Sequence, residues 1–160
     1  MQRNDSKALL GAGGRGQACV VATIPSYLLP PLNSFFDSMP DAPLILVVDD
    51  DADSRTLLEL ALSTSGFSVE TAINGRDALI TARRHPPRLI LLDLAMPVMD
   101  GFTFRREQLR DDVLAAIPVI CVSGRHDAAG VSRRMDVAAC FPKPFDLETV
   151  VARVREIVTA

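Results

Sequence analysis

Asp49, Asp50 and Asp51 stand together directly after one apolar run, Asp93 closes a second, Ser123 closes a third, and Lys143 with Pro144 follows a fourth. Carboxylates forced into one place repel one another and need a cation. Hard oxygen donors with room left for water and phosphate oxygens suit Mg²⁺. A lysine ammonium and a serine hydroxyl provide the positive charge and the hydrogen-bond donor that phosphoryl oxygens require during transfer. A carboxylate held beside that metal is then the nucleophile, and its product is an acyl phosphate. The same crowding predicts that repulsion among the acids destabilises the metal-free protein. Each residue alone has a plainer reading: Asp after a strand is usually a turn former or a helix cap, Lys-Pro a loop and Ser a cap. Complementary groups at four separate strand ends are what point to a site.

The elements that must position these groups are legible in the hydropathy. Residues 44–48, 89–92 and 119–122 are continuous apolar runs, as strands buried on both faces must be. A weaker strand is expected at 67–72 and a short one near 138–141, with helical segments near 54–65, 75–84, 101–111, 127–135 and 147–158. In the last of these Leu147, Val150, Val151, Val154, Ile157 and Val158 form one apolar stripe. Asp146 is a natural N-cap for it, and Gly66 a natural stop after the first helix. Five β–α units with buried strands predict an α/β fold, a doubly wound five-stranded parallel sheet with helices on both faces. All the chemically capable residues then fall at the carboxyl ends of strands, where open α/β sheets bind ligands.

The remaining sequence sets limits. With 160 residues, 48% of them hydrophobic and 23% charged, the chain has room for one ordinary domain and a tail. A net charge of −3 gives no electrostatic reason to expect nucleic acid or an acidic membrane. The longest apolar run, 113–122, is broken by Pro118 and is too short to span a bilayer. Cys19, Cys121 and Cys140 lack the CxxC spacing and read as small hydrophobes in a reducing compartment. Residues 1–41, rich in Gly and Pro, read as a disordered leader before a domain at 42–160, with Met39 as a possible alternative start. Gly11, Gly13 and Gly16 satisfy G-x-G-x-x-G, but no strand feeds the pattern and no helix leaves it, so a dinucleotide site is not expected.

Leu46-Val47-Val48-Asp49-Asp50-Asp51, the stretch from Leu92-Asp93 through Met96-Pro97 to Asp100-Gly101, Val122-Ser123-Gly124 and Pro142-Lys143-Pro144-Phe145 together resemble the signatures of a response-regulator receiver domain. The likeness covers about residues 42–159, and the segment from Asp93 to Gly101 is its most specific part. The resemblance implies the flavodoxin-like strand order 2-1-3-4-5. It implies Asp93 as phospho-acceptor, Asp50 as a direct Mg²⁺ ligand, Asp49 as a ligand mainly through water, and the Ala95 carbonyl as a further ligand. Ser123 and Lys143 would each hold a phosphoryl oxygen, and Lys143–Pro144 would be a cis peptide. The donor would be a phosphohistidine on a sensor histidine kinase or a histidine phosphotransfer protein, and the output an unnamed downstream effector protein.

The enzymatic rival is a haloacid-dehalogenase-like phosphatase with Asp49 as nucleophile. Asp53 stands where that pattern needs a small hydroxyl residue, and only Asp146 and Glu148 remain for its later acidic motif. The leader is neither basic nor helix-turn-helix-like and nothing follows Ala160, so the chain reads as a stand-alone cytoplasmic receiver. It is expected to be a phospho-acceptor rather than a turnover enzyme, with no direct nucleic-acid or membrane partner. Two further expectations concern the switch. Arg125 is placed to modulate the lifetime of the acyl phosphate. Receivers usually carry an aromatic three residues before the lysine, whereas this chain has Cys140, with Phe141 expected on the opposite face. The signal is therefore expected to run through the loop after Ser123 and the helix near 127–135, which Gly124 and Gly130 make deformable.

Overall fold

The apolar runs form the strands they predict. A computed structural model of the protein describes residues 42–124 and 128–160. The expectations for the leader at 1–41, for Met39, for the glycine pattern at Gly11 to Gly16, for Cys19 and for Arg125 therefore fall outside the described residues. The elements in chain order are β1 (Leu44–Val48), α1 (Ala52–Thr64), β2 (Ser68–Ala72), α2 (Gly75–Arg84), β3 (Leu89–Asp93), α3 (Gly101–Gln108), β4 (Val119–Ser123), α4 (Ala128–Met135), β5 (Ala139–Pro142) and α5 (Leu147–Thr159). The sheet is entirely parallel, in the order β2-β1-β3-β4-β5. β3 and β4 are buried at every position, whereas the edge strands β2 and β5 are half-buried. That difference is why their sequence signal is weaker.

The period of two along each strand divides the apolar residues between two layers. Ile45, Val47, Leu89, Leu91, Ile120 and Val122 meet Leu58 and Leu62 of α1 and Val150 and Val154 of α5. Leu46, Val48, Ile90, Leu92, Val119 and Cys121 meet Ala78 and Ala82 of α2, Phe104 of α3 and Met135 of α4. Each fully buried Leu or Ile contributes roughly 1.5–3 kcal/mol, so neither layer can slip register without losing several such contributions. The apolar stripe of α5 is one of these contacts.

Two helix boundaries differ from expectation for identifiable reasons. α1 starts at Ala52, two residues before the expected 54, because the Asp51 side chain accepts from Ser54 N and makes Asp51 the N-cap. α3 ends at Gln108 rather than 111. Gln108, fully buried, donates from Nε2 to the carbonyls of Leu114 and Ile117, each at 3.0 Å, and so folds the following turns back onto the helix end. Arg105, one turn earlier and 6% exposed, donates to Gln108 Oε1 and to the carbonyls of Met135 and Asp136. Gly66, at φ +92°, follows the end of α1 as the expected helix stop.

Candidate functional site

β1 and β3 are neighbours, so the residues that follow them come together at the carboxyl edge. Ligand oxygens of Asp49, Asp50 and Asp93 lie within 4.8 Å of one another. Asp49 and Asp93 are buried and Asp50 is exposed. Asp51, the third acid of the run after β1, is turned away as the cap of α1 and has its carboxyl held below the usual range by Ser54.

Lys143 closes the site from β5. Its Nζ is 2.7 Å from Asp49 Oδ2 and 3.2 Å from Asp93 Oδ1, bridging positions 94 residues apart in the case of Asp49. Its own N–H donates to the Ser123 carbonyl at 2.7 Å, tying the ends of β4 and β5 together. This modifies the sequence expectation of bare carboxylate repulsion: an ammonium already compensates the two buried acids, and the third sits in solvent. One ammonium for two buried carboxylates is an incomplete match. Burial keeps the Asp93 carboxyl above its usual value, with Lys143 opposing and Asp49 reinforcing. Burial also disfavours the charged lysine, but its bonds to Asp49 and Asp93 outweigh that and hold it above its usual range.

The loop from Asp93 to Gly101 is built around backbone contacts. Ala95 N–H donates to Asp93 Oδ2 at 3.0 Å, Gly101 N–H to the Leu94 carbonyl, and Gly75 N–H to the Met99 carbonyl. Asp100 caps α3 by accepting from Thr103 N at 2.7 Å. A Cβ on Gly101 would lie 2.6 Å from the Asp93 carbonyl oxygen and 2.9 Å from Leu94 Cα. Gly101→Ala is therefore expected to destabilise the fold by about 1–3 kcal/mol, as overpacking does, and to displace Asp93. A melting temperature within a degree of wild type would refute this. Gly124 has open space around it, so it is a glycine for reasons other than close packing.

Ser123 is buried at the end of β4, beside a cavity of about 520 Å³ lined by Leu94, Ala95, Met96, Asp100, Phe102, Ser123 and Gly124. The Lys143–Pro144 peptide is cis, as expected. Cys140 and Phe141 do point to opposite layers, Cys140 into the one that holds Met135 and Phe141 into the one formed with α1 and α5. Sequence reasoning missed Arg55, whose Nη1 donates to the Asp49 carbonyl at 2.7 Å and so fixes the backbone that carries Asp49 and Asp50. Its only sequence signal is its position in the first turn of α1, facing back to the strand end.

Comparison with known proteins places this arrangement. A family model described as response regulator receiver domain matches residues 45–155. The chain is 35% identical over 118 residues to the DNA-binding dual master transcriptional regulator RpaA of Synechocystis, covering 72% of this chain and 49% of that protein. It is 38% identical over 122 residues to the transcriptional regulatory protein PrrA of Mycobacterium tuberculosis, covering 73% and 50%. The chemotaxis protein CheY4 of Vibrio cholerae superposes with a TM-score of 0.68 at 26% identity, covering 73% of this chain and 99% of that one. The phosphatase alternative is not favoured by any of these.

One expectation is overturned. Net charge and a leader that is neither basic nor helix-turn-helix-like predict no direct nucleic-acid partner. One relative, RpaA, is a DNA-binding transcriptional regulator by name and another, PrrA, a transcriptional regulatory protein, and the chain spans about half the length of the relatives it matches. Charge within a receiver carries no information about a DNA-binding segment elsewhere in such proteins, so the exclusion had no physical basis. No helix among the described residues is long and apolar enough to cross a membrane. With five parallel strands in the order 2-1-3-4-5, acids at the ends of β1 and β3 and a lysine reaching them from β5, the chain belongs to the response regulator receiver domains of two-component signalling.

Proposed function

We propose that residues 42–160 act as a phospho-acceptor switch in which Asp93 takes a phosphoryl group from a phosphohistidine donor in the cytoplasm. The observation that carries this reading is the grouping of Asp49, Asp50 and Asp93 within 4.8 Å, with Lys143 Nζ 3.2 Å from Asp93. Asp49, Asp50 and Asp93, with the Ala95 carbonyl, form a hard oxygen donor set that fits Mg²⁺ and leaves room for water. The ion, when bound, neutralises charge on the phosphoryl oxygens. A carboxylate oxygen of Asp93 attacks phosphorus, the P–N bond to the donor imidazole breaks, and the imidazole takes up a proton. Lys143 pairs with one phosphoryl oxygen and the Ser123 hydroxyl donates to another, both from fixed strand ends. Arg55 keeps the acidic turn in place throughout. The acyl phosphate then changes the contacts the domain makes with protein partners, and the chain assists its own phosphorylation and dephosphorylation without steady turnover of a substrate.

Acetyl phosphate with Mg²⁺ should add one phosphoryl group per chain, mapped by peptide mass spectrometry to Asp93, and excess chelator should prevent it. Labelling in full chelator, or steady release of phosphate from a monoester, would overturn the reading.

A further inference from the structure

On the α4 side of the sheet Cys121 touches two other sulfur-bearing side chains, Met135 and Cys140. Cys121 and Cys140 are register partners on β4 and β5. The Cys121 thiol donates to Met135 Sδ, 3.9 Å away at the end of α4, and also interacts with the Cys140 thiol. Cys121 and Met135 are buried, and Cys140 is half-buried at the edge strand, which gives a route inward. A second observation lies beside them. Arg105 is 6% exposed and donates to the Met135 carbonyl at 3.0 Å and the Asp136 carbonyl at 2.6 Å. Its carboxylate partner among the described residues, Asp136, is 4.0 Å away and 94% exposed. Among the described residues, then, a cation is buried beside Met135 and Cys121 with no buried anion paired to it, and Arg105 and Cys121 are close enough to perturb one another's charge.

We propose that Cys121, Cys140 and Met135 form a three-coordinate site for a soft monovalent metal ion of the Cu(I) class. Thiolate and thioether sulfur select such ions over Mg²⁺, Mn²⁺ or Ca²⁺. Three donors arranged trigonally at about 2.3 Å from a metal lie about 4.0 Å apart, and the Cys121–Met135 separation is 3.9 Å. On binding, two S–H bonds break, two metal–thiolate bonds form, the thioether lone pair supplies the third ligand, and two protons leave to solvent. No oxidant is consumed. The complex of one Cu(I) and two thiolates carries a single negative charge, which the buried Arg105 guanidinium matches. Burial pushes the Cys121 thiol up to about 12 and raises Cys140 as well, so neither is a free thiolate; the metal replaces the protons and removes the charge that burial penalises. Occupancy would join β4, β5 and the end of α4 across the place where receivers usually carry an aromatic.

This inference is independent of phosphorylation and is tested on the full chain, fully reduced and without oxygen, by titrating Cu(I) against a chromogenic Cu(I) chelator. Wild type should bind one Cu(I) per chain with a thiolate-to-metal charge-transfer band. Cys19→Ser should leave this unchanged. Cys140→Ser, a half-buried position that should fold normally, should weaken binding on the order of 100-fold, and Met135→Leu on the order of 10-fold, with folding of both checked by circular dichroism. Absence of binding, binding that disappears with Cys19→Ser, or binding that Cys140→Ser or Met135→Leu leaves intact would each show that the sulfurs only fill the core.

Discussion

Asp93→Asn will take no phosphoryl group from acetyl phosphate or from a phosphohistidine donor: labelling falls to background, a loss on the order of 10³-fold or more. An amide oxygen is too weak a nucleophile to form a stable acyl phosphate, and no other carboxylate in the site is placed to replace it. Asp49 is held on both oxygens, Oδ1 by the Asp51 N–H at 2.9 Å and Oδ2 by Lys143 at 2.7 Å. Asp50 is exposed, away from the shared lysine. The fold should survive, because Asn is isosteric and its oxygen can still accept from Ala95 N–H, as Asp93 Oδ2 does at 3.0 Å. Burial already disfavours the ionised Asp93 carboxyl. Removing that charge should therefore leave the melting temperature equal to or above that of wild type near neutral pH, where the wild-type group is ionised at a cost. Residual labelling of the folded variant would move the acceptor elsewhere, with Asp49 the first candidate.

Lys143→Met should have the largest effect on stability of any change in the site. It removes the ammonium 2.7 Å from Asp49 and 3.2 Å from Asp93 and leaves two buried carboxylates beside each other. Breaking a buried pair in this way costs about 3–5 kcal/mol, and the lower end applies because the lysine side chain is itself 28% exposed. Denaturant unfolding in chelator should show the deficit, and saturating Mg²⁺ should restore part of it by binding only the folded state. The sign with pH follows from the folded state holding the Asp93 proton more tightly than the unfolded chain does. In the variant that preference grows, so the deficit shrinks as the pH falls toward the carboxylate range and is largest above it. Asp50→Asn is the control: Asp50 is exposed, and in chelator it should change stability by less than about 0.5 kcal/mol. A Lys143→Met deficit below about 1 kcal/mol would mean that solvent, rather than the lysine, compensates the two acids.

The sequence by itself determined the strands, the sheet type and the placing of the acids, serine and lysine at strand ends, because these depend on local chemistry. Strands buried on both faces must be apolar without interruption, so 44–48, 89–92 and 119–122 could hardly be anything else. Asp93, Ser123 and Lys143 sit where their strands end, and a strand end is visible as the end of an apolar run. The edge strands β2 and β5 were fainter because only part of each is buried. Helix ends depart from the periodicity where side chains decide them. Asp51 capping Ser54 begins α1 early, and Gln108 reaching Leu114 and Ile117 ends α3 early, and neither contact follows from periodicity.

Only the tertiary structure decided how charge is balanced. Three consecutive acids read alike in a sequence, yet Asp49 is buried against Lys143, Asp50 faces water and Asp51 caps a helix. Arg55 and Arg105 look like ordinary surface arginines on amphipathic helices, and both instead hold backbone carbonyls, one under the acids and one at the end of α4. The meeting of Cys121, Cys140 and Met135 likewise depends on β4 and β5 pairing in one register with α4 laid over them. Hydropathy reports which residues leave water. Which buried polar or sulfur atoms become partners is set by contacts between segments far apart in the chain, and those exist only once the sheet order has been chosen.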